Sequence, residues 1–245
     1  MHGRRAETVR YGDHPDQVAD LWLPRDVAVP PVVVSVHGGY FAAEYRRDLH
    51  DDIAAELADR GFAVWNVEYR RTGSGSLRET TDDVWAAVDA LAEVVGLAAG
   101  RVAVFGHSAG GYLTEWLASH PRVEFVVPLA AASDLAGVVR AGWDSGAVST
   151  WLGAGPDEDP ALYKEADLYR RLPTGTRRVL IHGTADTTVG IEQSRAFAAA
   201  ASGLGDDTRL VELEGTGHME FVDPRSRAFA ALYRELDAWR SARPR

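Results

Sequence analysis

The chain of 245 residues reads as an α/β protein: an eight-stranded, mostly parallel sheet with helices on both faces. Three observations predict this class. β-type apolar runs alternate with helical stripes along most of the chain, which is the pattern of βαβ units. The run Val32-Val33-Val34-Ser35-Val36 is nearly all β-branched, as in a strand buried on both faces. One long irregular stretch, about Ala136 to Thr176, interrupts an order whose other connections are short.

The elements follow in order. Glu7–Tyr11 and Gln17–Leu23 alternate about the turn sequence Gly12-Asp13-His14-Pro15-Asp16, giving an antiparallel hairpin. Pro30-Pro31 introduces the third strand. A helix is expected from about Arg46 to Arg60, with Ile53 and Leu57 four apart and Gly61 as its stop. Strand Phe62–Val67 and a loop at Thr72–Ser76 come next. The second helix carries Val84, Trp85, Val88, Leu91, Ala92 and Val95, with capping Ser and Thr before it. Strand Arg101–Phe105 leads into a helix ending near His120, followed by strand Glu124–Ala130. After the irregular stretch come strand Arg178–His182, helix Ile191–Ser202 and strand Thr208–Leu213. The last helix is expected to start at Asp223-Pro224, an N-cap with proline at the first helical position, and to run to about Arg240. No repeat or linker divides the chain, so residues 1–245 are read as one domain, with a small cap at about 136–176.

Composition narrows the function classes. The hydrophobic content of 46% suits a globular chain with a sizeable core, and the formal charge of −10 leaves no basic footprint for nucleic acid or an anionic membrane. Cysteine is absent, which excludes disulfides, thiolate metal sites and a cysteine nucleophile. The N-terminal Met1-His2-Gly3-Arg4-Arg5-Ala6-Glu7 has no apolar core of a signal peptide, and no apolar run is long enough to span a bilayer, so a cytoplasmic location is expected. No metal-ligand spacing occurs and no cofactor is expected.

The chemistry centres on Gly106-His107-Ser108-Ala109-Gly110, a G-x-S-x-G turn between an apolar strand and a helix. Such a turn lifts a serine oxygen above the end of a sheet. A serine hydroxyl is a weak nucleophile and needs a base oriented by a third group. In an open parallel sheet these groups gather after the carboxyl ends of strands. His218 follows the eighth strand. Asp186 follows the seventh in His182-Gly183-Thr184-Ala185-Asp186, a context that favours it over the rival acid Asp134 after the sixth. The oxyanion of an acyl transfer needs two backbone N–H donors. Ala109 supplies one, and the loop His37-Gly38-Gly39-Tyr40 after the third strand the other.

These segments, with Trp65–Arg71, resemble the α/β-hydrolase fold, in its carboxylesterase and kynurenine formamidase-like (arylformamidase-like) branch, across essentially the whole chain. The resemblance implies Ser108 as nucleophile, His218 as base and Asp186 as orienting acid, with Gly38, Gly39, Tyr40 and Ala109 around the oxyanion. It departs from the common pattern at Gly190, where such proteins often carry proline, at Met219, where an aromatic is common, and at Ala166-Asp167, where Ser-Pro is often seen. The expected substrate is a small-molecule ester, activated amide or thioester. A transferase or thioesterase using an acyl carrier protein is the alternative.

Tyr40, Phe41 and Met219 flank motif residues and are the candidate substrate-binding side chains; Tyr112, Trp143 and Trp151 are further aromatics, each more simply core. His37, His107 and His182 end strands and are read as residues that shape the site. His2, His14, His50 and His120 are read as surface histidines, and Arg46-Arg47 and Arg170-Arg171 as solvated charges. Glu68-Tyr69-Arg70 is read as a structural ion pair or loop anchor.

Overall fold

A computed structural model describes residues 6–94 and 102–242; Met1–Arg5, Val95 and Arg101 lie outside the described residues. Eight strands form one sheet in the order β1-β2-β4-β3-β5-β6-β7-β8. They are β1 (Glu7–Arg10), β2 (Val18–Trp22), β3 (Val32–Val36), β4 (Ala63–Val67), β5 (Val102–His107), β6 (Val123–Leu129), β7 (Arg177–Gly183) and β8 (Thr208–Leu213). β1 pairs antiparallel with β2, and β2 antiparallel with β4; the other pairs are parallel. The carboxyl ends of β3 to β8 therefore share one edge of the sheet, and the loops carrying the motifs all leave from that edge.

The strands divide their side chains between two cores. Val34, Val36, Trp65 and Val104 face helices α2 (Leu77–Ala90), α3 (Ala109–Trp116) and α7 (Glu192–Gly203). Val33, Val64, Ala103 and Phe105 face α1 (Asp51–Asp59) and α8 (Arg227–Ser241). Period-two alternation with both faces covered explains why these strands are almost uniformly apolar. The stretch between β6 and β7 holds three short helices, α4 (Leu135–Ala141), α5 (Ala147–Leu152) and α6 (Pro160–Glu165), which form the cap. Among the described residues no helix is long and apolar enough to cross a membrane.

Local chemistry departs from expectation in several places. α8 begins at Arg227, not at Asp223-Pro224. Ser226 accepts the Phe229 N–H at 3.0 Å and wins the cap, while Asp223 is occupied with the Arg225 N–H at 2.9 Å. The expected helix from Arg46 divides into a 3₁₀ turn, Arg47–His50, and α1; here Arg47 is held by Asp20 (2.7 Å) and by the Glu68 carboxylate on its backbone N–H (3.2 Å). The second helix stripe ends at Leu91, and Ala92 is exposed. His50 and His120 are buried: the first bonds Ser35 Oγ at 2.8 Å, and the second lies against Trp85. Nor is Arg171 simply solvated, since its guanidinium lies 3.8 Å from the Trp116 ring centroid.

Candidate active site

Ser108 sits between β5 and α3 with φ 57° and ψ −116°, a strained backbone for a residue with a side chain. The turn is tight because α3 is pressed onto the end of β3. A Cβ on Gly110 would lie 2.0 Å from the Val36 carbonyl oxygen, and one on Gly106 2.3 Å from the Gly110 carbonyl oxygen. α3 begins at Ala109, so its first N–H groups have no carbonyl within the helix and face the serine end of the turn.

The loop after β3 is strained as well. Gly39, Tyr40 and Phe41 take φ values of 108°, 56° and 57° in succession. Gly38 is pinched against the elbow, where a Cβ would meet the His107 carbonyl oxygen at 2.5 Å. Several bonds hold this shape. The Thr72 N–H and hydroxyl both donate to the Phe41 carbonyl, at 2.9 and 2.8 Å. The Tyr69 hydroxyl donates to the His37 carbonyl at 2.8 Å, and the two rings stack. Both His37 nitrogens face acceptors: Nδ1 the Gly38 carbonyl at 2.7 Å and Nε2 the Glu68 carboxylate at 2.9 Å. Burial alone would raise the Glu68 carboxyl, but its bond and charge contact with His37, together with the charge of Arg71, hold it below the usual range. The anchor role read from the sequence for Glu68 agrees with these contacts.

Asp186 and His218 meet after β7 and β8. His218 Nδ1 lies 2.6 Å from Asp186 Oδ2, and both side chains are nearly out of solvent. A carboxylate can only accept, so the ring carries a proton on Nδ1, and in the neutral imidazole the lone pair is then on Nε2. Asp186 Oδ1 accepts the N–H groups of Thr188 (2.8 Å) and Val189 (2.9 Å), and His182 Nε2 stands 3.3 Å from Oδ2. Burial would raise this carboxyl; the hydrogen bonds from His182 and His218 outweigh it and hold Asp186 well below the usual carboxylate range. Asp134 caps α4 instead, accepting the Gly137 N–H at 2.9 Å. The His107 ring lies 4.4 Å from that of His218; burial, then the charge of His218, depresses it well below imidazole's ordinary value. His107 is thus a poor rival as a base.

A small pocket of about 10 Å³ opens on Ser108. Tyr40 and Phe41 line it, whereas Met219 lies on the surface, 61% exposed, and is not among its lining residues. Trp143 lines it too, and Trp151 backs Phe41 with ring centroids 3.8 Å apart. Sequence reasoning missed Ala132, Val138, Val148, Thr188 and Val189. Thr188 and Val189 stand within three residues of Asp186, which is the one signal that points to them. Tyr40 and Thr188 line the pocket together, from the loops after β3 and β7, and burial raises the Tyr40 phenol.

Relatives are consistent with this geometry. The chain is 26% identical over 243 residues to Esterase LipC of Mycobacterium tuberculosis, covering 89% of this chain and 60% of that protein. It is 26% identical over 239 residues to the probable isoprenylcysteine alpha-carbonyl methylesterase ICME of Oryza sativa subsp. japonica, covering 87% and 58%. The chain thus spans less than two thirds of the length of these curated relatives. Among solved structures, esterase B of Lactobacillus rhamnosis superposes with a TM-score of 0.82 at 20% identity, covering 97% of this chain and 85% of that one. A truncated carbohydrate esterase from gut microbiota does so with 0.82 at 18%, covering 94% of each. At such identities the likeness carries the fold. The family model named BD-FAE matches residues 19–201, well over half of the chain. The chain therefore belongs to the BD-FAE family and has the α/β-hydrolase fold.

Proposed function

We propose that the protein is a serine carboxylesterase that cleaves small-molecule esters through an acyl-enzyme. The observation that carries this reading is the Asp186–His218 hydrogen bond of 2.6 Å at the sheet edge where Ser108 stands on its strained turn. Asp186 fixes the tautomer, so His218 Nε2 takes the Ser108 proton as Oγ attacks the ester carbonyl. The oxyanion of the tetrahedral intermediate is held by the N–H of Ala109 and that of Gly39 or Tyr40, which Gly38 allows to come close. His218 then gives its proton to the leaving alcohol, and the acyl-enzyme forms. Water, deprotonated by the same imidazole, releases the acid and frees Ser108. Each oxyanion donor is worth ~3 kcal/mol of transition-state stabilisation. The esterase names of the relatives point the same way.

The test is a panel of aryl and alkyl esters, aryl thioesters and N-formyl aryl amines, run against the natural chain and Ser108→Ala. Ester turnover falls on the order of 10⁶-fold in the variant. Undiminished turnover in Ser108→Ala overturns the reading. Preferential turnover of N-formyl amines moves the substrate to the formamide class of the sequence resemblance. Preferential thioester cleavage, or transfer to an acceptor other than water, moves it to the acyl-carrier alternative.

A further inference from the structure

The serine-hydrolase reading leaves open which acyl groups the site takes, and the pocket on Ser108 speaks to that. Its volume of about 10 Å³ is roughly the space of one water, which is also that of one methyl group. Phe41, Val138, Trp143, Val148 and Val189 make its walls apolar. His218 is not among its lining residues. In ester cleavage the base must reach the leaving oxygen to protonate it. The alcohol therefore lies on the His218 side, and the small apolar pocket receives the carbon chain of the acid.

One contact fixes the Trp143 wall of the pocket. Trp143 stands in the cap between α4 and α5 and is half-buried. Its ring edge rests on the backbone of Gly190. A Cβ at residue 190 would lie 2.7 Å from Trp143 Cη2 and 3.1 Å from Cζ2, so the ring can occupy this place only because residue 190 is glycine. Both sides of the contact are pinned. The Trp143 N–H donates to the Val138 carbonyl at 3.2 Å, and the buried Asp144 carboxylate accepts the Val148 N–H at 2.7 Å. Across the contact, the Val189 N–H donates to Asp186 and its carbonyl accepts His182 Nε2 at 2.9 Å. The wall is thus tied to the same carboxylate that orients His218 and does not yield readily to a longer chain.

We infer that Trp143, seated on Gly190, is the specificity-determining stop that limits the acyl group to about two carbons. The inference rests on the proposed serine chemistry but fails separately from it. In a series of 4-nitrophenyl acetate, propionate, butyrate and hexanoate, kcat/KM of the natural chain falls about tenfold or more for each methylene added beyond acetate. In Trp143→Ala the acetate-to-butyrate ratio falls at least tenfold, because the pocket then opens toward solvent. Trp143→Leu keeps apolar cover over Gly190 and gives an intermediate ratio; it also serves if the alanine variant does not fold, as judged by circular dichroism and thermal melting. Equal rates from acetate to hexanoate in the natural chain overturn the inference. So does an unchanged chain-length profile in a folded Trp143 variant. Labelling by a fluorophosphonate keeps the two questions apart. Failure to label Ser108 in the natural chain removes the serine reading, whereas normal labelling with an unchanged profile removes only the stop.

Discussion

His37 donates from Nε2 to the Glu68 carboxylate over 2.9 Å, and neither side chain reaches solvent. The same carboxylate receives Arg71 Nη1 at 2.6 Å and the N–H groups of Arg47 and Tyr69, each at 3.2 Å. One buried anion thus gathers the ends of β3 and β4 and sets the loop from Gly38 to Phe41. Glu68→Gln leaves a buried guanidinium short of its partner. We expect a loss of about 3–5 kcal/mol in urea unfolding. Because the proposed mechanism draws an oxyanion donor from this loop, kcat is expected to fall on the order of 10²-fold with KM little changed. Unchanged kcat in a folded variant would detach the anchor from the chemistry.

Asp186→Asn keeps the size of the side chain but can offer an N–H to His218, which then favours the tautomer with its proton on Nε2. The imidazole in that form cannot take the Ser108 proton, and kcat is expected to drop on the order of 10⁴-fold. Steady-state ester turnover and the rate of fluorophosphonate labelling should fall together. Asp134→Asn, at the cap of α4, should change neither by more than a few-fold.

Gly110→Ala tests the packing of the elbow. Its Cβ would fall 2.0 Å from the Val36 and 2.4 Å from the His37 carbonyl oxygen, both backbone atoms that cannot swing away. A destabilisation of about 3 kcal/mol is expected, read as a lower melting temperature with activity lost in parallel. A variant with natural stability would mean that α3 can shift along β3.

His50 gives stability a pH dependence of known sign. Burial depresses its folded pKa from the ordinary imidazole value of 6.5 to about 3. Between those values the unfolded chain binds a proton that the folded chain refuses. Stability is therefore intact above about pH 6.5 and is lost as pH falls toward about 3, by up to about 1.4 kcal/mol per unit. Buried Glu115 acts in the other direction: its folded pKa, raised by burial to about 7, removes stability as pH rises from 4.5 through 7. The whole curve mixes both, so the informative quantity is the difference between the natural chain and His50→Asn. It should be flat above pH 6.5, with the natural chain losing ground below it. A difference curve flat down to pH 4 would refute the assignment.

The serine turn, the acid after β7 and the histidine after β8 were legible in the sequence because each is a short motif set directly behind a strand. The order of strands then brings them to one edge. The pocket walls were not legible in the same way. Val138, Trp143 and Val148 line the pocket on Ser108 from a cap whose position depends on tertiary contacts, and nothing in their spacing encodes them. His50 was misread because Asp48, Asp51 and Asp52 beside it suggest a solvated face. Its spacing of three and seven from Ile53 and Leu57 was the signal that it shares their buried side. The start of α8 failed for a different reason: Asp223 and Ser226 are both good caps three residues apart, and only the fold decides between them.

The amino-terminal hairpin has a part in this arrangement that its place at the sheet margin conceals. Asp20 on β2 grips Arg47 at 2.7 Å, Arg47 meets Glu68, and Glu68 holds His37; the Tyr11 hydroxyl, between the two hairpin strands, donates to the Glu68 carbonyl. The first strand precedes the stretch matched by the family model, which begins at residue 19. An engineer who trimmed the chain to begin at that residue would keep every residue of the proposed chemistry yet cut one tether of the loop after β3. Swapping the hairpin, by the same logic, offers a way to tune turnover from a distance without touching the reaction centre.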